Sequence, residues 1–190
     1  QSVKRLNLLT VLTVCDVRSV GPDTWNNWKA TLIRQLYYET RLILEQGGEA
    51  LNRENRMAEA KKLLREKLFD WDPKDIKLET GRHYPPYWQG FQIGAQFAFA
   101  KLLKNLGSDE IKIDLTPDTD RDATRICFAL SDHPGIFSRL SGALALVGAN
   151  VVDARSYTSK DGFATAAFWI QDSDGAPYDK SRFSRLRGMI

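Results

Sequence analysis

The run Ser131-Asp132-His133-Pro134-Gly135-Ile136 holds the residue types best able to grip a small polar ligand. Just before it, residues 124–130 alternate, with Ile126, Phe128 and Leu130 on one face, which predicts a strand with one buried side. After it, Ile136, Leu140, Leu144 and Val147 recur at helical spacing through 135–149. A helix starting here presents unsatisfied N–H groups and positive potential, which suit the carboxylate of a small molecule. Asp132 is equally suited to cap those N–H groups itself, and Pro134 fits an early helical position. Gly148 closes the helix, and Asn150 opens the next strand.

Other chemistry finds little support. There is no GxGxxG, GxxxxGK[ST], GxSxG or HExxH pattern. The acid pairs Asp114/Asp118 and Asp172/Asp174 fall on expected turns, where Asp is favoured for bonding its own backbone. The two cysteines, Cys15 and Cys127, lie far apart on apolar segments without CxxC or Cys/His spacing. They read as buried thiols in a reducing compartment. Asp16 is the one acid in an apolar first helix, and spacing alone makes it a surface-turned residue near the helix end. His83, beside Tyr84, reads as packing or surface.

The totals set the frame for these residues. A chain of 190 residues with 43% hydrophobic and 27% charged residues is that of a folded protein of one or two domains. Its net charge of +3 (27 basic against 24 acidic side chains) gives no reason to expect a nucleic-acid partner. No segment reaches the roughly 18 apolar residues of a membrane span, and no signal peptide stands at the start, so a cytoplasmic location is expected. The chain opens without Met and in mid-pattern, as a piece of something longer would.

Four helices should precede the strands. Residues 3–20 are apolar nearly all round and call for cover on most sides. Gly21-Pro22 breaks that helix, and Thr24 is placed to cap a second one running to about Gln46. Its apolar stripe runs through Trp25, Trp28, Leu32, Leu36 and Ile43. Gly47-Gly48 stops it. A charged third helix, roughly 49–69, has a thin seam of Leu51, Ala58, Leu63, Leu64 and Leu68. Asp72-Pro73 begins a short turn or helix to about Glu79. The cluster Arg82-His83-Tyr84-Pro85-Pro86-Tyr87-Trp88 reads as an extended crossing loop, since two prolines forbid ladder pairing. Its rings serve as a ligand face, as a polyproline dock or, the favoured reading, as a wedge seating a linker on a neighbouring domain. A fourth helix, 93–106, has Phe97, Ala98, Lys101 and Leu102 near one face, and Gly107-Ser108 ends it.

Residues 111–115 alternate as a strand, and 116–122 turn the chain back into 124–130. Strands at 150–157 and 163–170 are joined by a hairpin turn at Lys160-Asp161-Gly162, and a turn at 172–175 leads to a basic helix from about Asp179 to Ile190.

The carriers Asp132-His133-Pro134-Gly135-Ile136-Phe137, Gly142-Ala143-Leu144, Gly148-Ala149-Asn150-Val151-Val152-Asp153-Ala154-Arg155 and the Asp161-Gly162 turn together resemble an ACT domain. ACT domains are small ferredoxin-like regulatory modules of βαββαβ topology that often bind amino acids. This chain would supply βαββα and lack the last strand, whose place beside 124–130 the 111–115 strand would take. The resemblance implies a ligand between the 131–136 loop and the start of the second ACT strand, commonly across a subunit interface. Asp132 would receive an amine or brace the loop. His133, Pro134, Gly135 and Ile136 would form the loop, whose N–H groups take a carboxylate, and Asn150 would add side-chain contacts.

A second resemblance covers Leu12-Thr13-Val14-Cys15-Asp16-Val17-Arg18 and Val20-Gly21-Pro22-Asp23-Thr24-Trp25-Asn26-Asn27-Trp28-Lys29. These look like the end of the HD phosphohydrolase domain of bacterial bifunctional uridylyltransferase/uridylyl-removing enzymes, in which a Tyr-Pro-Pro-Tyr-Trp stretch also precedes the first ACT domain. Those enzymes add and remove UMP on the PII nitrogen-signalling protein in response to glutamine. The expected class is therefore α+β: helical HD end at 1–70, linker at 71–110, ACT domain at 111–190. Asp16 matches the last HD metal ligand, but the earlier His and His-Asp ligands have no counterpart, nor does the nucleotidyltransferase signature. The fragment would be regulatory and inactive, with no cofactor of its own, while its parent uses Mg2+ or another divalent metal. Glutamine or another small amino acid would be its ligand, and a homodimer could form through the ACT sheet or helices. A (p)ppGpp synthetase/hydrolase, which also joins HD and ACT modules, and a ligand-free ACT pairing module are the alternatives.

Overall fold

The computed structural model describes residues 3–21, 24–46 and 49–179, without the side chains of 27–28, 46 and 49–52. The helices are α1 Val3–Ser19, α2 Asn27–Gln46, α3 Glu49–Lys67, α4 Pro73–Arg82, α5 Pro85–Gly90, α6 Ile93–Leu103 and α7 Ile136–Leu146. The strands are β1 Ile111–Asp118, β2 Ala123–Ser131, β3 Asn150–Thr158 and β4 Phe163–Gln171. The expected basic helix beyond 179 and the Gly47-Gly48 stop lie outside the described residues.

The strands form one antiparallel sheet in the order β1-β2-β4-β3. β1 pairs along its whole length with β2, from Ile111 opposite Leu130 to Asp118 opposite Ala123, so the first strand does occupy the edge beside 124–130. It runs longer than expected, through Thr116-Pro117-Asp118, because Pro117 sits on a sheet edge where a missing N–H costs no ladder bond.

β2 was expected to bury one side and buries both. Ile126, Phe128 and Leu130 join Ala164, Ala166, Phe168 and Ile170 of β4 under Leu140 and Leu144 of α7. Ala123, Cys127 and Ala129 face the opposite way, with Ala167 and Trp169, onto Leu64, Leu68, Tyr87, Trp88, Phe91 and Phe99 of the helical layer. Period two still sets the faces, but small residues on the second face hid its burial. That face of the sheet is taken by the chain's own α6 and α5, with α3 packed against those two helices. A second copy could not use it without displacing them.

The helices depart from expectation in their buried faces. α4 starts as expected, with Asp72 accepting from the Lys74 N–H at 2.8 Å and Pro73 in the first turn. Residues 85–90 are helical, not an extended loop: prolines barred from ladders are well suited to a helix's first turn. The rings do wedge inward, with Tyr87 and Trp88 buried. The α3 seam is Met57, Ala60, Leu64 and Leu68, whereas Ala58 and Leu63 are exposed. In α6 the buried side chains are Ala95, Gln96, Ala98, Phe99, Ala100 and Leu103, not the face through Phe97 and Lys101. Small residues there let the helix sit close to the sheet.

Among the described residues α1 packs chiefly on α2 and buries no residue, so Leu8, Leu9 and Leu12 are exposed where cover was expected. Cys15 is exposed with them, against the expectation of a buried thiol, while Cys127 is buried. Ala30, Ile33 and Tyr37 of α2 line a cleft shared with Thr10, Val11 and Val14 of α1, and the Tyr37 hydroxyl donates to Asn7 Oδ1 at 2.9 Å. Leu32 and Leu36 of the expected stripe point outward, because α2 carries two apolar stripes and α1 covers one. Its cap is Asn26, accepting from the Lys29 N–H at 2.9 Å, and not Thr24.

Candidate functional site

β2 ends at Ser131 and delivers the loop to a corner of the sheet. The Asp132 N–H donates to the Gly162 carbonyl at 2.9 Å. The Asp132 side chain does not cap α7; its Oδ2 accepts from the Thr158 hydroxyl at 2.6 Å. Gly135 is the helix N-cap instead, with φ +85° and no side-chain bond, a conformation that strains any residue bearing a Cβ. Pro134 therefore stands before the helix and not in its first turn. The Ile136 N–H turns back to the His133 carbonyl at 3.2 Å, and Ser138 Oγ donates to the Gly135 carbonyl at 2.9 Å. At the other end the helix closes on Gly148 as the sequence predicts. Gly148 N–H donates to Ala145 and Ala149 N–H to Leu144, both at 3.0 Å.

Asp132, His133, Pro134 and Gly135 are exposed and contiguous, with Ile136 half-buried behind them. A cleft of about 200 Å³ opens beside them, lined by His133, Ile136, Arg139, Leu140 and Ala143 with Ile111 and Leu130. The loop thus combines a carboxylate, an imidazole, a helix N-terminus and the nearby Arg139 guanidinium. This set can hold a small zwitterion, ammonium toward Asp132 and carboxylate toward the helix mouth or Arg139. It contains no nucleophile paired with a base: Ser131 Oγ is spent on the Ser108 carbonyl at 2.5 Å.

Asn150 does not join this group. It is exposed at the head of β3, opposite Gln171, while the tail of the same strand, Thr158, meets Asp132. Eight residue steps at about 3.3 Å each put the two strand ends roughly 26 Å apart. Within one chain Asn150 and the loop cannot share a ligand. Thr158 and Arg139 are the residues that sequence reading missed. Arg139 lies one helical turn beyond Ile136, a visible signal, whereas Thr158 requires the sheet register.

Asp16 is exposed on α1, and no cluster of three or more His, Cys, Asp or Glu side chains forms among the described residues. A single exposed carboxylate does not fit a hydrolytic divalent ion, which takes several ligands. Asp118 Oδ2 accepts from Arg121 at 2.8 Å and from the Trp169 indole at 2.6 Å. Asp172 bonds the Asp174 and Ala176 N–H groups of its own turn. No helix among the described residues is long and apolar enough to cross a membrane.

A second polar cluster sits under the β3–β4 hairpin. Glu79, only 1% exposed, accepts from Arg82 at 3.0 Å through one oxygen and faces His83 Nε2 at 3.1 Å through the other. Arg82 also binds Asp161. Burial drives His83 below its usual range against the pull of Glu79. Burial raises the Asp161 carboxyl, but the Ser159 and Arg82 bonds outweigh it and hold the group below its usual range. Burial pushes the Cys127 thiol up to about 12, which makes it inert.

Across its whole length the chain is 67% identical to the bifunctional uridylyltransferase/uridylyl-removing enzyme of Cereibacter sphaeroides, covering 20% of that protein. The chain matches a segment of the bifunctional uridylyltransferase/uridylyl-removing enzymes. Its counterpart in Ruegeria pomeroyi is 63% identical over 196 residues, all of this chain and 21% of the relative. That in Azospirillum brasilense is 41% identical, again over all of this chain and 21% of the relative. The chain thus spans about a fifth of the length of the relatives it matches. No protein-family model matches it.

Proposed function

We propose that this chain is the regulatory stretch of a uridylyltransferase/uridylyl-removing enzyme. It would join the end of an HD domain (1–70) through a linker (71–110) to an ACT domain (111–190) that senses glutamine. The parent would add and remove UMP on the PII protein with a divalent metal held elsewhere, so Asp16 would be at most one ligand of a set completed outside this chain. The observation that carries the sensing role is the exposed 131–136 loop, where Asp132, a left-handed Gly135 and the start of α7 meet beside an open cleft. Glutamine has the matching groups: an α-ammonium for Asp132, an α-carboxylate for the helix mouth or Arg139, and a polar amide for Asn150 of a second copy. Sensing requires that glutamine prefer one global state over another.

Calorimetric titration of glutamine into the chain tests this. Asp132→Ala should weaken binding about tenfold or more, the loss of one charge-assisted hydrogen bond. Unchanged affinity in that variant would remove Asp132 from the site. A thermal-shift panel of free amino acids separates a sensor from a ligand-free pairing module.

A further inference from the structure

The β3–β4 hairpin touches the candidate loop on one side and the helical layer on the other. Toward the loop, Thr158 donates to Asp132 and Gly162 accepts from the Asp132 N–H. Toward the helices, Asp161 binds Arg82, the Lys160 N–H donates to the Arg82 carbonyl at 2.8 Å, and the Lys160 ammonium donates to the Gly81 carbonyl at 2.8 Å. Inside the hairpin the buried Ser159 hydroxyl donates to Asp161 Oδ1 at 2.6 Å and accepts from the Phe163 N–H at 3.0 Å. Beyond Arg82 the links continue through Glu79 to His83. The His83 ring lies flat on Tyr87, with centroids 3.5 Å apart, in the core shared by helices and sheet. Every step from Asp132 to Tyr87 is a hydrogen bond, an ion pair, a ring stack or a single residue of backbone.

We propose that this hairpin is the coupling element through which the state of the 131–136 loop reaches α4 and α5, with Asp161 and Arg82 as the residues that transmit it. This rests on reading the loop as an amino-acid site. An incoming ammonium shares the Asp132 carboxylate with the Thr158 hydroxyl, and the ion pair, charged on both sides, draws negative charge away from the Thr158 bond at Oδ2. That bond is thereby weakened, and Thr158 leads directly into Ser159 and Asp161. The Arg82 side chain is 9% exposed and Glu79 2%, so loosening Asp161 leaves the guanidinium on one partner in a nearly dry setting. Coupling through the network requires a second arrangement in which Arg82 is held by Glu79 without Asp161.

Amide hydrogen exchange on the 190-residue chain tests the coupling in two arms. Without ligand, Thr158→Val removes the bond to Asp132 while keeping the side-chain shape. Amides of residues 79–90 should then exchange about threefold faster or more, with β1 and β2 unchanged. Unaltered exchange at 79–90 overturns the coupling whatever the ligand is. With saturating glutamine, the wild type should change exchange at 79–90. Asp161→Asn should bind glutamine within about twofold of the wild type yet lose that response. A full response at 79–90 in Asp161→Asn also overturns the proposal. Absence of any glutamine heat in the wild type counts against the sensing role alone, and the Thr158→Val arm then decides the coupling.

Discussion

Glu79, Arg82 and His83 form the most demanding local arrangement in the molecule. A buried carboxylate is tolerated only when both oxygens are paired, and Arg82 and His83 pair them. Glu79→Ala leaves the guanidinium on Asp161 alone and takes the partner of the buried His83 Nε2, and is expected to cost about 3 kcal/mol, read as a shift in the urea midpoint. Tyr87 gives the opposite case. Its buried hydroxyl has no hydrogen-bond partner among the described residues, so Tyr87→Phe should leave stability unchanged or raise it by up to about 1 kcal/mol. His83 makes stability depend on pH. Its folded pKa lies below the ordinary value of 6.5, so the unfolded chain binds the proton first as pH falls. The stabilisation is complete above about pH 6.5 and is lost as pH drops toward the folded value. Thermal unfolding followed from pH 7.5 to 5.5 should show this loss, and His83→Gln should show a smaller one. The i,i+4 spacing of Glu79 and His83 on α4 was open to sequence reading. What it could not reveal is that Tyr87 and the hairpin bury them.

α5 shows how an element can be misread from correct premises. Pro85 and Pro86 do bar a strand, but they bar only ladder pairing, and the same fixed φ starts a helix. The short helix ends at Gly90 because β3 arrives there: a Cβ on Gly90 would stand 1.8 Å from the Tyr157 hydroxyl oxygen and 2.5 Å from its ring. Arg155 also donates to the Gly90 carbonyl, which fixes the approach. Gly90→Ala should therefore destabilise by about 1–3 kcal/mol, because a rigid ring and a strand must both move. Gly81→Ala is the control, since a Cβ there meets nothing within 4 Å. In α7, periodicity gave the buried Leu140 and Leu144 correctly. The cap assignment failed because Asp132 had a second partner, Thr158, that lies 26 residues away in sequence.

The N-terminal helical layer and the sheet share a core cluster that joins Leu64 of α3, Leu68 just beyond it, Phe99 of α6, and Cys127 and Trp169 of the sheet. Phe99→Ala should cost about 3–5 kcal/mol. It should also raise hydrogen exchange in α6 and β2 together, since neither has that side of its core without the other. Exchange rising in α6 alone would mean that the layers unfold separately. The sequence by itself determined the α+β class, the four strands, the glycine-bounded helix after Asp132 and the likeness to a segment of the uridylyltransferase/uridylyl-removing enzymes, because period, turn chemistry and motif spacing are local properties. Only the tertiary structure decided which stripe of α2, α3 and α6 is buried, that β2 is covered on both faces, and that Thr158 reaches Asp132 while Asn150 does not. Those outcomes depend on which distant surfaces meet, and neighbours along the chain carry no record of that.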